Sequence, residues 1–451
     1  AVQPRPTGFY CCKRAAIIRD AWRDAVGVGS YSALARFTMT EQLPENNTGA
    51  APEDLCQHFP ECGGCTAQDV PYEEQLSRKQ LALETLFKPH WDKAIPVAPS
   101  PSLWNYRNRI DLTFGRKHYP EPPPKDFVRE TVLGFKREGK WFWTIDLAEC
   151  RIGPAGVEKL IESVRNWARE RQLTAFSSKT KDGFLRILLV LEGKRTGECM
   201  VVLITNEGEL DKEGFVEAVQ SSWPCVSIQH AIYRGKADVT AADELHILHG
   251  KSHLNEELHV PDGQGIRKVK LRISPFGFSQ TNSAATEILY GIIRQWVKES
   301  RPRFVYDLYG GSGGIAIAVS DKVDRVISVE NVELASVDGT FNRETNDADN
   351  IVFMTDSVED YLKDAVAQHQ GLLPQSLVVL DPPRAGLHPK ALKRLLQLKP
   401  QEIIYVSCKP SVFAKELLSF LAEYDLTDMR AVDLFPHTEH VELLARLHLK
   451  Q

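Results

Sequence analysis

The sequence has no long hydrophobic run. Nothing in it approaches the length of a bilayer span, and no apolar signal region precedes a cleavage pattern. These absences predict a cytoplasmic protein with no membrane partner, or an organelle-matrix protein if residues 1–38 are a transit segment. There is no charge excess of one sign either. With 55 Lys+Arg against 60 Asp+Glu the net charge is −5, so any nucleic-acid partner has to be held by a local basic surface. Cysteine is sparse: nine in 451 residues exclude a disulfide scaffold. Three are bunched, which points to a metal or cluster in a reducing compartment. What remains is an ordinary globular composition, long enough for two or three domains, with no sign of an obligate protein partner; a monomer is expected.

Residues 1–50 read as an extension or linker with no assignable role, holding Cys11-Cys12 and a polar stretch from Glu41 to Pro52. The first chemical signal is Cys56-x5-Cys62-x2-Cys65, with Gly63-Gly64 letting the backbone fold tightly. Three thiolates need a fourth ligand for tetrahedral zinc or a four-iron cluster. A zinc site would favour paired CxxC units or a nearby ligand such as His58. The unequal spacing, with Cys150 as the nearest downstream thiol, suits an iron–sulfur cluster better.

Residues 51–275 read as an α+β region. Pro71–Phe87 and Glu158–Arg171 have helical periodicity, and strand-like runs fall at Phe184–Leu191, Cys199–Thr205, Ile228–Arg234 and Leu245–Leu248. Aromatic and basic residues interleave from Trp104 to Lys117, a pattern shared by RNA-contacting strands and ordinary charged sheet surfaces. Cys199 and Cys225 read as core residues, the Pro122–Pro124 run as a loop, and His246, His249, His253 and His259 as surface histidines.

From residue 276 to 451 the pattern is repeated β-α. Phe304–Leu308 runs into Tyr309-Gly310-Gly311-Ser312-Gly313-Gly314 and then a helix, so the backbone can approach a nucleotide-like ligand. Arg325–Glu330 ends in an acid 20 residues after the first glycine, placed to accept ribose hydroxyls. That pair of features does not separate NAD from S-adenosylmethionine. Later strands end in Asp356 and in Asp381-Pro382-Pro383-Arg384, where a carboxylate and a rigid turn sit over the ligand crevice. A last apolar run, Ile403–Val406, stops at Ser407-Cys408-Lys409-Pro410. A cysteine there is either a core thiol or, beside Lys409, a nucleophile with a lowered pKa.

Taken together, from Cys56 to the C-terminus, these segments resemble the S-adenosylmethionine-dependent RNA 5-methyluridine methyltransferases, in the iron–sulfur branch acting on 23S rRNA. Asp381-Pro382-Pro383-Arg384-Ala385-Gly386 is similar to that family's Asp-Pro-Pro-Arg signature, Ser407–Pro410 to its nucleophile segment, and Phe435–Glu442 to its terminal motif. The resemblance implies a C-terminal Rossmann-like methyltransferase domain, with a mainly parallel doubly wound sheet. An α+β central domain carrying the cluster would precede it. It further implies [4Fe–4S] ligation by Cys56, Cys62, Cys65 and Cys150, and contacts to S-adenosylmethionine from Gln280, Tyr309, Gly311, Gly313, Glu330, Asp356 and Asp381. Ser274–Asn282 departs from the family's usual wording but keeps Gln280 and Asn282.

Uracil C5 is a poor nucleophile, so its methylation calls for covalent activation. Cys408 would add to C6, the resulting enolate would take the methyl group, and Glu442 would remove the C5 proton. The expected partner is RNA, rRNA ahead of tRNA, with the base flipped out of its stack. Competing readings are the same reaction on the T-loop uridine of tRNA, an NAD-dependent iron–sulfur oxidoreductase, a silent RNA-binding protein and a cytosine-5 methylase.

Overall fold

The computed structural model describes residues 55–451 except 122, 125–126, 264, 278 and 368–374. The extension expected at 1–50 lies outside the described residues, as do Pro122 of the loop and Phe278. Helix α1 (Tyr72–Phe87) and the short strand β1 (Val97–Ala98) come first. Next are β2 (Arg109–Arg116), β3 (Thr131–Gly134), the hairpin β4 (Lys136–Arg137) and β5 (Lys140–Thr144), and helix α2 (Val157–Glu170). β6 (Leu185–Glu192), β7 (Cys199–Thr205), helix α3 (Lys212–Ser222), β8 (Ser227–Ile232) and β9 (Glu244–Gly250) complete a six-stranded sheet ordered β3-β2-β6-β7-β8-β9.

β6 reads Leu-Arg-Ile-Leu-Leu-Val-Leu-Glu, almost without polar alternation, because both of its faces are covered. Leu188 and Val190 pack with Leu160, Val164 and Trp167 of α2 and Phe215 of α3. Ile187, Leu189 and Leu191 face the other way, into a core shared with the next layer. Of the four histidines read as surface residues, His253 and His259 are half-buried, and His259 Nε2 lies 2.7 Å from Glu257 Oε1.

That next layer begins with the hairpin β10 (Leu254–Pro261) and β11 (Ile266–Ile273) and helix α4 (Ser283–Ser300), which Asn282 caps by accepting from Ala285 N–H. The repeat follows: β12 (Phe304–Leu308), α5 (Gly314–Val319), β13 (Arg325–Glu330), α6 (Glu333–Thr345), β14 (Ile351–Thr355) and α7 (Val358–Ala367). It continues through β15 (Ser376–Leu380), α8 (Pro389–Leu398), β16 (Glu402–Ser407), α9 (Pro410–Phe420), β17 (Tyr424–Val432) and β18 (Glu442–Leu449).

The second sheet has eight strands in the order β1-β17-β18-β16-β15-β12-β13-β14. The five from β14 to β16 are parallel, and β18 then runs antiparallel to both β16 and β17. β1, from the start of the chain, pairs parallel with β17 at the far edge. Strand order reverses at β12, which has β13 on one side and β15 on the other. A ligand crevice opens at such a switch point, outside the carboxyl ends of the strands. Among the described residues no helix is long and apolar enough to cross a membrane.

Candidate active site

At the carboxyl end of β12 the chain turns through Tyr309, which has a positive φ of 66°, into the glycine run. A cleft opens there, lined by Gln280, Tyr309, Gly310, Gly311, Ser312 and Asp381 among others. Its inner wall comes from β10, β11 and α4, with Glu256, Ser283 and Tyr290, and from Asn108 just before β2. The Gln280 segment is pinned by Asn108, whose Nδ2 donates to Gln280 O and Ser283 Oγ, both at 2.9 Å. Gln280 Nε2 in turn donates to Asp381 Oδ2 at 3.1 Å, joining two of the expected contacts.

Not every expected cofactor residue lines this cleft. Gly313 does not: it has a positive φ of 85° and a Cβ there would stand 2.5 Å from the Phe353 ring, so this glycine lets the turn lie against β14. Glu330 stands at the end of β13 as expected, but Oε2 accepts from Gly311 N–H (3.0 Å) and Oε1 from Val332 N–H (2.7 Å). In this arrangement it shapes the glycine turn. Asp356, half-buried beyond β14, accepts from Ser357 N–H and is not a lining residue of the cleft.

At the same edge β16 ends in Ser407, paired with Leu443 of β18. Cys408 follows Ser407 and Glu442 precedes Leu443 as the first residue of β18, and the two lie close enough for the charge of Glu442 to act on the thiol. Glu442 is 1% exposed, and its Oε1 has no hydrogen-bond partner among the described residues. Burial pushes its carboxyl well above the usual range, and Asp381 adds to this while Arg384 offsets part of it. Asp381 is pushed up to about 7, by burial first and by Asp307 next.

The Cys408 thiol is not lowered by Lys409, as its sequence neighbour suggested. Burial, then the charges of Glu442 and Asp381, push it up to about 11, with Arg384 the opposing cation. The site therefore resists carrying several negative charges at once. Sequence reasoning missed two participants. Asp307, fully buried inside β12 and pushed up to about 7 mainly by burial, was visible as a lone acid in an apolar strand. Arg384, inside the Asp-Pro-Pro-Arg signature, is exposed at the site's edge with Nη2 3.2 Å from His440 Nε2.

Cys56, Cys62, Cys65 and Cys150 form a second locus. Cys56 and Cys65 are buried, Cys62 and Cys150 half-buried. Cys65 and Cys150 are pushed up to about 11 and 12, by burial first and then by the neighbouring thiols. The two segments are tied together by Ala148 N–H donating to His58 Nε2 and Gln57 N–H donating to Glu149 Oε1, each at 2.9 Å. Arg107 stands beside the thiols, with its Nε buried and unpartnered among the described residues. Thiols near a buried cation suit an anionic cluster. Yet among the described residues no three His, Cys, Asp or Glu side chains are set at metal-binding distances.

A parallel sheet with a glycine turn at its switch point, closed by β18 and β17, is the fold of the α/β methyltransferases. The family profile for tRNA (uracil-5-)-methyltransferase matches residues 237–450. The tRNA (uracil(54)-C(5))-methyltransferase of Pyrococcus furiosus is 33% identical over 393 residues, spanning 87% of this chain and 84% of that protein. An uncharacterized RNA methyltransferase of Caldanaerobacter subterraneus is 33% identical over 403 residues, 88% of this chain and 84% of its own. Among solved structures, the Pyrococcus abyssi tRNA (uracil-54, C5)-methyltransferase bound to S-adenosyl-L-homocysteine superposes with a TM-score of 0.66. It is 30% identical, with 86% of each chain covered. The chain belongs to the RNA (uracil-5-)-methyltransferases: it is an S-adenosylmethionine-dependent enzyme acting on uracil C5 in RNA.

Proposed function

We propose that the enzyme works through a covalent adduct between Cys408 and C6 of the target uracil. The observation that carries this reading is that Cys408 and the buried Glu442, whose Oε1 has no hydrogen-bond partner among the described residues, stand next to each other at the ends of the paired strands β16 and β18. The Cys408 thiolate adds to C6, and the electron pair released onto C5 and O4 attacks the methyl group of S-adenosylmethionine. Glu442 then takes the C5 proton, the C5–C6 double bond re-forms, and the C6–Sγ bond breaks to return the thiolate. Asp381 and Gln280 hold the polar edge of cofactor or base, while Tyr309 and Gly311 line the cofactor's side. The target base reaches Cys408 only when flipped out, so it lies in a loop or single-stranded region.

For the target, the two relatives above whose names give one are both tRNA uracil-54 enzymes, and this favours the T-loop uridine. The motif resemblance set out first favours 23S rRNA. Incubation with S-adenosylmethionine and, separately, unmodified tRNA and large-subunit rRNA decides between them by nucleoside mass spectrometry. Methyluridine absent from both would sink the reading. Methyluridine formed equally well by Cys408→Ala would sink the covalent mechanism.

Cys56, Cys62, Cys65 and Cys150 are proposed to hold a [4Fe–4S] cluster that braces the RNA-facing side of the protein. What supports this is that the four thiols lie near enough to act on one another electrostatically, with Cys65 and Cys150 also near Arg107. Protein prepared without air should then carry iron and acid-labile sulfide at about four of each per chain. Cys65→Ser should lose both, while the core thiol Cys225 can be changed to Ser without loss of iron. Zinc in place of iron, or no bound metal, would overturn the assignment.

A further inference from the structure

The loop from Asp433 to Val441 ends at Glu442, yet many of the bonds that hold it come from the beginning of the chain. Asp433, fully buried, receives Lys79 Nζ of α1 at 2.7 Å, and the same ammonium donates to Phe435 O at 3.1 Å. One turn earlier on α1, Gln75 Oε1 accepts from His437 N–H at 2.8 Å. Gln75 Nε2 donates to Ala67 O and Val70 O and lies 3.3 Å from His437 Nδ1. The His437 carbonyl accepts from Thr66 N–H (2.8 Å) and Ala67 N–H (3.0 Å), the two residues that follow Cys65. Tyr106 Oη donates to Pro436 O at 3.1 Å, and Trp104 stacks on the His437 ring with centroids 4.0 Å apart.

His437 is 4% exposed and has a positive φ of 64°. It occupies a conformation that a non-glycine residue adopts only when its surroundings hold it there. Five residues further on, the chain must deliver a carboxylate to a carbon-bound proton, a transfer that tolerates little displacement. Among the described residues no hydrogen bond to Glu442 Oε1 does this locally. Its position is therefore set by the backbone, through the pairing of Glu442 with Val432 on one side and through the loop that leads into β18 on the other.

We infer that His437 is a positioning residue for Glu442, and that Gln75 and the segment following Cys65 are the brace that holds it. The inference rests on the covalent reading above. It assigns the N-terminal segment a place in one step, release of the methylated base, in which Glu442 accepts the C5 proton and Cys408 leaves C6. Addition of Cys408 and methyl transfer precede any need for the base, so a loosened loop should spare them.

The test is single-turnover kinetics with methyl-labelled cofactor and the RNA found to be a substrate, scoring released methyl-RNA against denaturation-resistant enzyme–RNA adduct. Gln75→Ala and His437→Val should form methylated adduct at close to the wild-type rate. Release should slow about 10- to 100-fold, so that adduct accumulates. His437→Asn, which tolerates positive φ, should restore most of the release rate. Tyr106→Phe removes a single hydroxyl from the brace and should show the same change to a smaller degree, even if the other variants fold poorly. Methyl transfer and release falling together, or an unchanged partition in folded variants, would overturn the inference. Failure of the wild-type enzyme to form a Cys408-dependent adduct would instead overturn the covalent reading on which it rests.

Discussion

Strands β16 and β18 lie side by side, and an acid stands at each end of the pair. At one end Glu402 is buried but surrounded by donors, with Arg446 Nε at 2.7 Å and His448 Nε2 at 3.3 Å. Arg446 is itself tied to Glu299 and Ser300, both at 2.6 Å. Burial pushes Glu402 up, but the bonds from His448, Arg446 and Ser300 outweigh it and hold the carboxyl below its usual range. At the other end Glu442 is equally buried, and among the described residues it has no such partners. Its carboxyl lies well above that range. The same two strands thus carry one acid whose charge is compensated for stability and one left uncompensated for chemistry. An acid kept without a partner in a closed, low-dielectric site is a cost that folding alone would not retain.

The sharpest way to break this contrast is to remove the group that Glu442 faces. Cys408→Ala should abolish methyl transfer while leaving the melting temperature and S-adenosylmethionine binding near wild type. Persistent methyluridine would show that the unpartnered acid serves some other nucleophile. Glu442→Gln comes next. Release should fall by about 10²- to 10⁴-fold, as for a lost general base. The folded protein should become more stable by about 1–3 kcal/mol at pH 7, because glutamine does not have to take up a proton on folding as a carboxyl with a raised folded pKa does. Denaturant melts and adduct gels on the same preparation check both. A stability loss would mean that Glu442 is paired after all.

Glu402→Gln should do the reverse. It leaves Arg446 short of a buried partner and should cost about 3 kcal/mol, while the rate per folded molecule stays unchanged. If activity fell with stability held, the two ends of the strand pair would be coupled and the division between them would fail.

How far the sequence foretold this depends on whether a residue's partners are near it in the chain. The strands at 199–205 and 325–330 could be read directly because their apolar runs are bounded by their own polar ends. Cys408 and Glu442 could be paired because each sits in a recognisable segment, and the antiparallel register brings the two segments together. The direction of the Cys408 shift could not be read. Lys409 is its neighbour in sequence, but Glu442 and Asp381, from two other strand ends, are its neighbours in space. Gly313 looked like a ligand-facing glycine because nothing local reveals that Phe353 presses on it from β14. Nothing in the sequence singles out His437 within the Phe435–Glu442 segment, since its partner Gln75 lies 362 residues away.

The smallest effect expected is also the one that separates the two acids most cleanly, their linkage to pH. Glu402 has a folded pKa below the ordinary carboxylate value. Its contribution is complete above that value and is lost only as pH falls through the lower, folded one. The deficit of Glu402→Gln should therefore be flat from about pH 5 to 7 and shrink only below about pH 4. Glu442 has a folded pKa above the ordinary value, so its penalty is absent in acid and grows as pH rises toward the folded pKa. The gain of Glu442→Gln should thus be near zero at about pH 4 and increase steadily to about pH 7, the interval over which the Glu402 variant does not change. Urea melts of the wild type and both variants at several pH values measure the two slopes. Parallel curves would mean that the two carboxyls share one environment, and the ends of β16 and β18 would then differ in sequence but not in electrostatics.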